Sequence, residues 1–208
     1  MKRLALAVAV LAAGCLGPKP DRTRFFTLTP LVATDPEPGH HESADLMLGL
    51  GPVVMPRYLD RTPLVRRNGD NEIAVSADDR WAEPLGYAFA STLRQNLVVL
   101  LGTPRVVLYP WLPGPHPALA VEVDVQRFEG AGNGEVALAA EWNVRRVADG
   151  AVLVARLSRV TEHAEGTGSD AVAAALSRAL GAFSREVAAA VRDEHAAGHD
   201  RVSPRPRG

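Results

Sequence analysis

One side chain stands apart by its chemistry. Cys15 is the only cysteine in 208 residues, so an intramolecular disulfide is impossible and a cysteine-based zinc site is all but excluded. A solitary cysteine inside a fold is usually a small buried apolar residue. Cys15 is placed differently. It follows Leu11-Ala12-Ala13-Gly14, at the end of an unbroken apolar run from Leu4 to Ala13 that is itself preceded by Lys2 and Arg3. About ten helical residues rise roughly 15 Å against a hydrocarbon core of about 30 Å, so this run is too short to span and has the size of an export-signal core.

The remaining reactive types form no constellation. His195 and His199 have the four-residue spacing of a shared helical ligand pair, but Gly198 and an aperiodic tail argue against a preorganised site. His40-His41 falls in a Pro/Gly loop. Glu122 and Asp124, and likewise Glu141 and Asn143, sit on the outward parity of strand candidates and are expected to be solvated. There is no G-x-S-x-G and no P-loop. Gly130-Ala131-Gly132-Asn133-Gly134 joins two strand candidates, whereas a phosphate cradle needs a helix after it. No catalytic residue, metal or cofactor is expected. Arg57, Arg61, Arg66 and Arg67 make a basic stretch that suits a solvated hairpin surface, or less often an anionic partner. The formal charge is −1 for the whole chain and −3 once Met1–Gly14, with Lys2 and Arg3, is removed, which speaks against nucleic acid as a partner.

The elements around these residues read as α+β, a mainly antiparallel sheet covered on one face by two amphipathic helices. Strands are expected near Phe25–Leu28 and Leu46–Met55, the latter with Pro52 forcing an edge position or a bulge. Pro63–Arg67 and Glu72–Ser76 flank Asn68-Gly69 as a hairpin. Leu85, Phe89, Leu93 and Leu97 recur at helical spacing, with Asp78 or Asp79 as the cap and Gly102 as the stop. A short strand at Arg105–Tyr109 comes next. Ala120–Phe128, Glu135–Val147 and Ala151–Glu162 then alternate as a three-strand meander. Val172, Leu176, Leu180, Phe183, Val187 and Val191 form a second stripe, with Ser169 as its cap. The expected division is 1–14 signal, 15–22 tether, 23–192 folded domain and 193–208 disordered tail.

Two resemblances add to this reading. Leu11-Ala12-Ala13-Gly14-Cys15 resembles the lipobox of bacterial lipoproteins, which implies lipid attachment at Cys15 and cleavage before it. Leu16 is not the Asp that commonly retains such proteins at the inner membrane, which favours the outer one. Further along, Gly51-Pro52-Val53-Val54-Met55-Pro56-Arg57-Tyr58-Leu59-Asp60-Arg61, Arg80-Trp81-Ala82-Glu83-Pro84-Leu85, Val123-Asp124-Val125-Gln126-Arg127-Phe128-Glu129-Gly130 and Ala139-Ala140-Glu141-Trp142 together resemble the ABC-type transport auxiliary (PqiC-like) lipoproteins. The resemblance implies a non-enzymatic subunit of an intermembrane lipid transport system. Its implied partners are an MCE-domain protein and inner-membrane transporter components, with a homo-oligomer as an option and the outer membrane reached through the lipid anchor. Arg57, Tyr58 and Leu59, on what reads as an exposed turn, are the candidate partner contacts, because aromatic anchors concentrate interface energy. A structural or assembly lipoprotein of another envelope complex is the alternative; a lipid-modifying enzyme comes third.

Overall fold

A computed structural model describes residues 20–32, 45–111 and 114–202. Within them the chain runs β1 (Arg24–Phe26), β2 (Leu48–Val54), β3 (Pro63–Arg67), β4 (Ile73–Trp81), α1 (Leu85–Leu101), β5 (Val106–Leu108), β6 (Leu119–Ala131), β7 (Glu135–Arg146), β8 (Val152–His163) and α2 (Ser169–Val202). The signal, Cys15 and the loop around His40-His41 lie outside the described residues.

All strands join one sheet, organised by β6. At 13 residues β6 is long enough to serve three neighbours. Its whole length pairs antiparallel with β7, while its other edge takes β2 in parallel along the first half and β3 in parallel at Gly130 and Ala131. The expected β3–β4 hairpin and β6–β7–β8 meander are both present. The sheet is nonetheless mixed rather than mainly antiparallel: β1–β4, β2–β5, β2–β6 and β3–β6 are parallel pairs. These ladders join segments far apart in sequence and have no turn residues to announce them, unlike a hairpin. Pro52 lies in an interior strand, and the β2–β6 register shifts between Leu50 and Val53, because proline cannot donate to the ladder.

Both helices cover one face of the sheet. Leu85, Phe89, Leu93, Leu97 and Leu101 of α1 are buried, as are Val172, Leu176, Leu180, Phe183, Val187 and Val191 of α2. They close over Val121, Val123 and Val125 of β6 and Leu138, Ala140, Trp142 and Val144 of β7. Aromatic rings form the centre. Phe89 meets Phe128 edge-on at 5.1 Å, and Phe183 lies 6.2 Å from both Phe89 and Trp142. The Trp142 indole N–H is satisfied by Ser158 Oγ at 2.8 Å. The buried amide of Asn96 donates to Ser184 Oγ at 2.9 Å and accepts from Leu31 N at 2.7 Å, tying both helices to the segment after β1. Gly130 permits the first turn of α2 to approach: a Cβ there would stand 2.8 Å from Val172 Cγ1.

The helix ends depart from expectation. Asp78 and Asp79 lie within β4, which runs on to Trp81, and neither caps α1. The carboxylate that serves the first turn is Asp60, whose Oδ1 accepts from Gly86 N at 3.1 Å across 26 residues of sequence. Gly102 ends α1 in the left-handed region at φ 64°, as its position predicted. At the other boundary, α2 continues through Val202, so the first ten residues of the expected disordered tail are helical. The apolar stripe stops at Val191, but extending a formed helix costs little per residue. Arg192 Nη1, just before this stretch, donates to Leu100 O at 3.0 Å, and within it His195 Nε2 lies 3.4 Å from Asp45 Oδ1.

Candidate docking surfaces

The turn after β2 contains the three predicted contact residues, and the fold separates them. Pro56 O accepts from Leu59 N and Asp60 N at 2.9 and 3.0 Å, which closes the turn and directs Leu59 inward. Leu59 is 1 % exposed and belongs to the core, so it offers nothing to a partner. Tyr58 is half-buried, with its hydroxyl donating to Glu129 Oε2 at 3.0 Å. Only Arg57 of the three is exposed. The basic stretch divides in the same way: Arg61 is exposed, while Arg66 and Arg67 are half-buried and engaged.

Glu129 is the polar centre of this region and the residue that sequence reasoning missed. It is 1 % exposed. Arg67 Nε and Arg127 Nε reach Oε1 at 2.9 and 3.1 Å, and Tyr58 Oη and Phe128 N reach Oε2 at 3.0 and 3.1 Å. Four donors on one carboxylate offset the cost of removing its charge from water. The β6–β7 register shift between Val125 and Arg127 sets up the site, because it resets the alternation so that Phe128 enters the aromatic centre. Burial first, and then the Glu129 charge, push the Tyr58 hydroxyl above its ordinary pKa. The hydrogen bond to Glu129 likewise raises Arg67. The only sequence hint was an acidic residue wedged between Phe128 and Gly130, within a strand whose parity had just changed.

A second cluster locks β1, β4 and α2 together. Arg24 makes a fork to Asp79, with Nε to Oδ1 at 2.8 Å and Nη2 to Oδ2 at 3.0 Å. Ser169, expected as a cap, donates to Asp79 Oδ2 at 2.5 Å and accepts from Arg66 Nη2 at 2.9 Å. The Ser169 hydrogen bond, followed by Arg24, holds the Asp79 carboxyl below its ordinary 3.8. A lowered folded-state pKa means that this contribution to stability is complete above the unfolded value and is lost as pH falls through the folded one. Asp79→Asn is therefore expected to lower the thermal midpoint at pH 7 and to flatten its fall below about pH 4. Melting curves from pH 7 to pH 2 check this; parallel acid limbs for the two proteins would count against it.

Among the described residues no helix or strand covers the sheet face away from the helices, although Trp111 and Pro117 pack over Gly49 of β2. Glu122, Asp124 and Gln126 of β6 lie beside Glu141 and Asn143 of β7, as their parity predicted. Glu122 is 3.1 Å from Arg145 Nε, and Gln126 Nε2 donates to Glu141 Oε1 at 2.8 Å. A shallow hollow of ≈ 550 Å³ lies over this face, bordered by Pro52, Val54 and Leu157. Val54 is 51 % and Leu157 41 % exposed, apolar surface of the kind that docking sites use. A second hollow of ≈ 600 Å³ opens between the start of β2, the 114–119 segment and the last turns of α2, lined by Leu46, Met47, Leu119 and Leu153 with Arg105 and Arg146 at its rim. Among the described residues no group of three His, Cys, Asp or Glu side chains is arranged to hold a metal, and no helix is long and apolar enough to cross a membrane.

Comparison with solved structures shows the same fold elsewhere. Protein XCC0632 from Xanthomonas campestris superposes with a TM-score of 0.70 at 19 % identity, over 85 % of this chain and 99 % of that one. The crystal structure of an uncharacterized protein gives a TM-score of 0.61 at 20 % identity, over 83 % and 97 % of the two chains. No curated protein matches the chain significantly. The family model described as the ABC-type transport auxiliary lipoprotein component matches residues 26–188, from the last residue of β1 into α2. Every strand from β2 to β8, α1, the turn at Arg57–Leu59 and Glu129 all fall within that span, and the chain belongs to the family of ABC-type transport auxiliary lipoprotein components.

Proposed function

We propose that this protein is a non-catalytic docking and organising subunit of an intermembrane lipid transport system, held at the periplasmic face of the outer membrane by acyl chains on Cys15. The observation that carries the reading is the family match over residues 26–188. The lipobox-like segment ending at Cys15 supplies the anchor. One long acyl chain gives marginal binding and two or more give stable attachment, at about 0.8 kcal/mol per buried methylene. The sheet face away from the helices, with the exposed Val54 and Leu157, and the exposed Arg57 supply surface for a partner. The partners proposed are an MCE-domain protein and the inner-membrane components it works with, and any nucleotide hydrolysis belongs to them.

Two measurements test this. Cys15→Ser is expected to shift the protein from the membrane to the soluble fraction on flotation, and a variant that still floats would reject the anchor. Affinity capture of the native lipoprotein from detergent-solubilised membranes is expected to recover an MCE-domain protein. Recovery of outer-membrane assembly factors alone would reject the transport role in favour of an assembly role.

A further inference from the structure

The topology gives the domain two distinct ends. At one end lie the β3–β4 hairpin, the β6–β7 hairpin and the β8–α2 connection. Gly132 N donates to Arg67 O at 3.1 Å, Ala164 N to Gly134 O at 2.8 Å, and Arg66 Nη1 to Thr167 O at 2.7 Å. At the other end, Ala118 N donates to Met47 O and Val147 N to Ala118 O, at 3.0 and 3.1 Å, and His195 of α2 meets Asp45. Helix α2 runs from the first end toward the second, and its 34 residues measure about 50 Å.

Strand directions then decide where the N-terminal tether leaves. β6 runs from the Ala118 end to the Gly132 end. β3 is parallel to β6, β4 is antiparallel to β3, and β1 is parallel to β4, so β1 runs opposite to β6. The chain preceding Arg24 therefore heads toward the hairpin end, and the fork from Arg24 to Asp79 pins its direction beside the start of α2. From Pro20 back to Cys15 is five residue steps, which span at most about 18 Å even when fully extended.

We infer that the domain stands upright on the membrane, with the tips of the β3–β4 and β6–β7 hairpins against lipid headgroups and the last turns of α2 pointing away. This rests on the proposed acylation of Cys15. The leash is much shorter than the domain, so the hairpin end stays within reach of the bilayer and the hollow beside Leu46 and Leu153 is held out toward an incoming partner. The hairpin tips are built from polar residues such as Asn71 and Asn133, which suits contact with headgroups without insertion.

The test uses the chain's single cysteine. Once Cys15 is acylated, any introduced cysteine is the sole free thiol. Full-length lipoprotein carrying Asn71→Cys or Asn133→Cys at one end, or Ala148→Cys or Ala196→Cys at the other, is labelled with an environment-sensitive fluorophore. It is then reconstituted into phosphatidylethanolamine/phosphatidylglycerol vesicles containing a headgroup spin-labelled lipid. Labels at 71 and 133 are expected to lose fluorescence several-fold more than labels at 148 and 196. Inserting a flexible Gly/Ser segment of about twenty residues after Leu16, with a reach of about 25 Å, is expected to erase that difference. Equal quenching at the two ends, or stronger quenching at 148 and 196, overturns the upright orientation while leaving the anchor intact. Failure of the unsubstituted protein to float with the vesicles overturns the anchor itself, and the orientation with it.

Discussion

Phe183→Ala is expected to destabilise the domain by about 4 kcal/mol. Phe183 has no exposed surface and stands where the two helices meet the sheet, its ring centroid 6.2 Å from those of Phe89 of α1 and Trp142 of β7. Truncation removes its burial and both ring contacts, and α2 cannot collapse into the void because its flanking residues Ala179, Leu180 and Val187 are already packed. In a domain of this size each kcal/mol moves the midpoint by about 2–4 °C, so a fall on the order of 10 °C is expected in thermal melts followed by circular dichroism. Phe183→Leu refills much of the volume and should lose less than half as much. A shift of only a degree or two for the alanine variant would show that the helices do not depend on this contact.

Glu129→Ala ranks next, at about 3 kcal/mol. The loss comes from what is left behind. Arg67, Tyr58 and the Phe128 amide lose their acceptor together, and Arg67 keeps its charge with its side chain only 24 % exposed. Arg127, more exposed at 42 %, re-solvates more easily, which keeps the expected value at the lower end of the range for broken buried pairs. Urea unfolding of Glu129→Ala, Arg67→Met and the double variant gives the coupling between them. The double variant is expected to be more stable than the sum of the single losses by more than about 1 kcal/mol. Simple additivity would mean that the carboxylate and Arg67 do not act as a unit. The same cluster positions the turn that presents Arg57, so Glu129→Ala should also increase amide exchange across residues 56–62.

Much of this was written locally. The Asn68-Gly69 hairpin, the stripes of α1 and α2 and the inward valines of β6 each depend on residues within a few positions of one another. The solvated faces at Asp124 and Glu141 were legible for the same reason, since strand parity has a period of two. Tertiary contact decided the rest. No local signal marks β2 and β3 as parallel neighbours of β6, because loops and a helix intervene. Asp60 caps a helix that begins 25 residues later, while Ser169, a cap by its position, is drawn to Asp79 across 90 residues. Leu59, Tyr58 and Glu129 took their roles from the burial of one turn against β6. Periodicity tells a residue which side of its own element it occupies; only the packing of elements distant in sequence settles whether that side meets water, an arginine or the core.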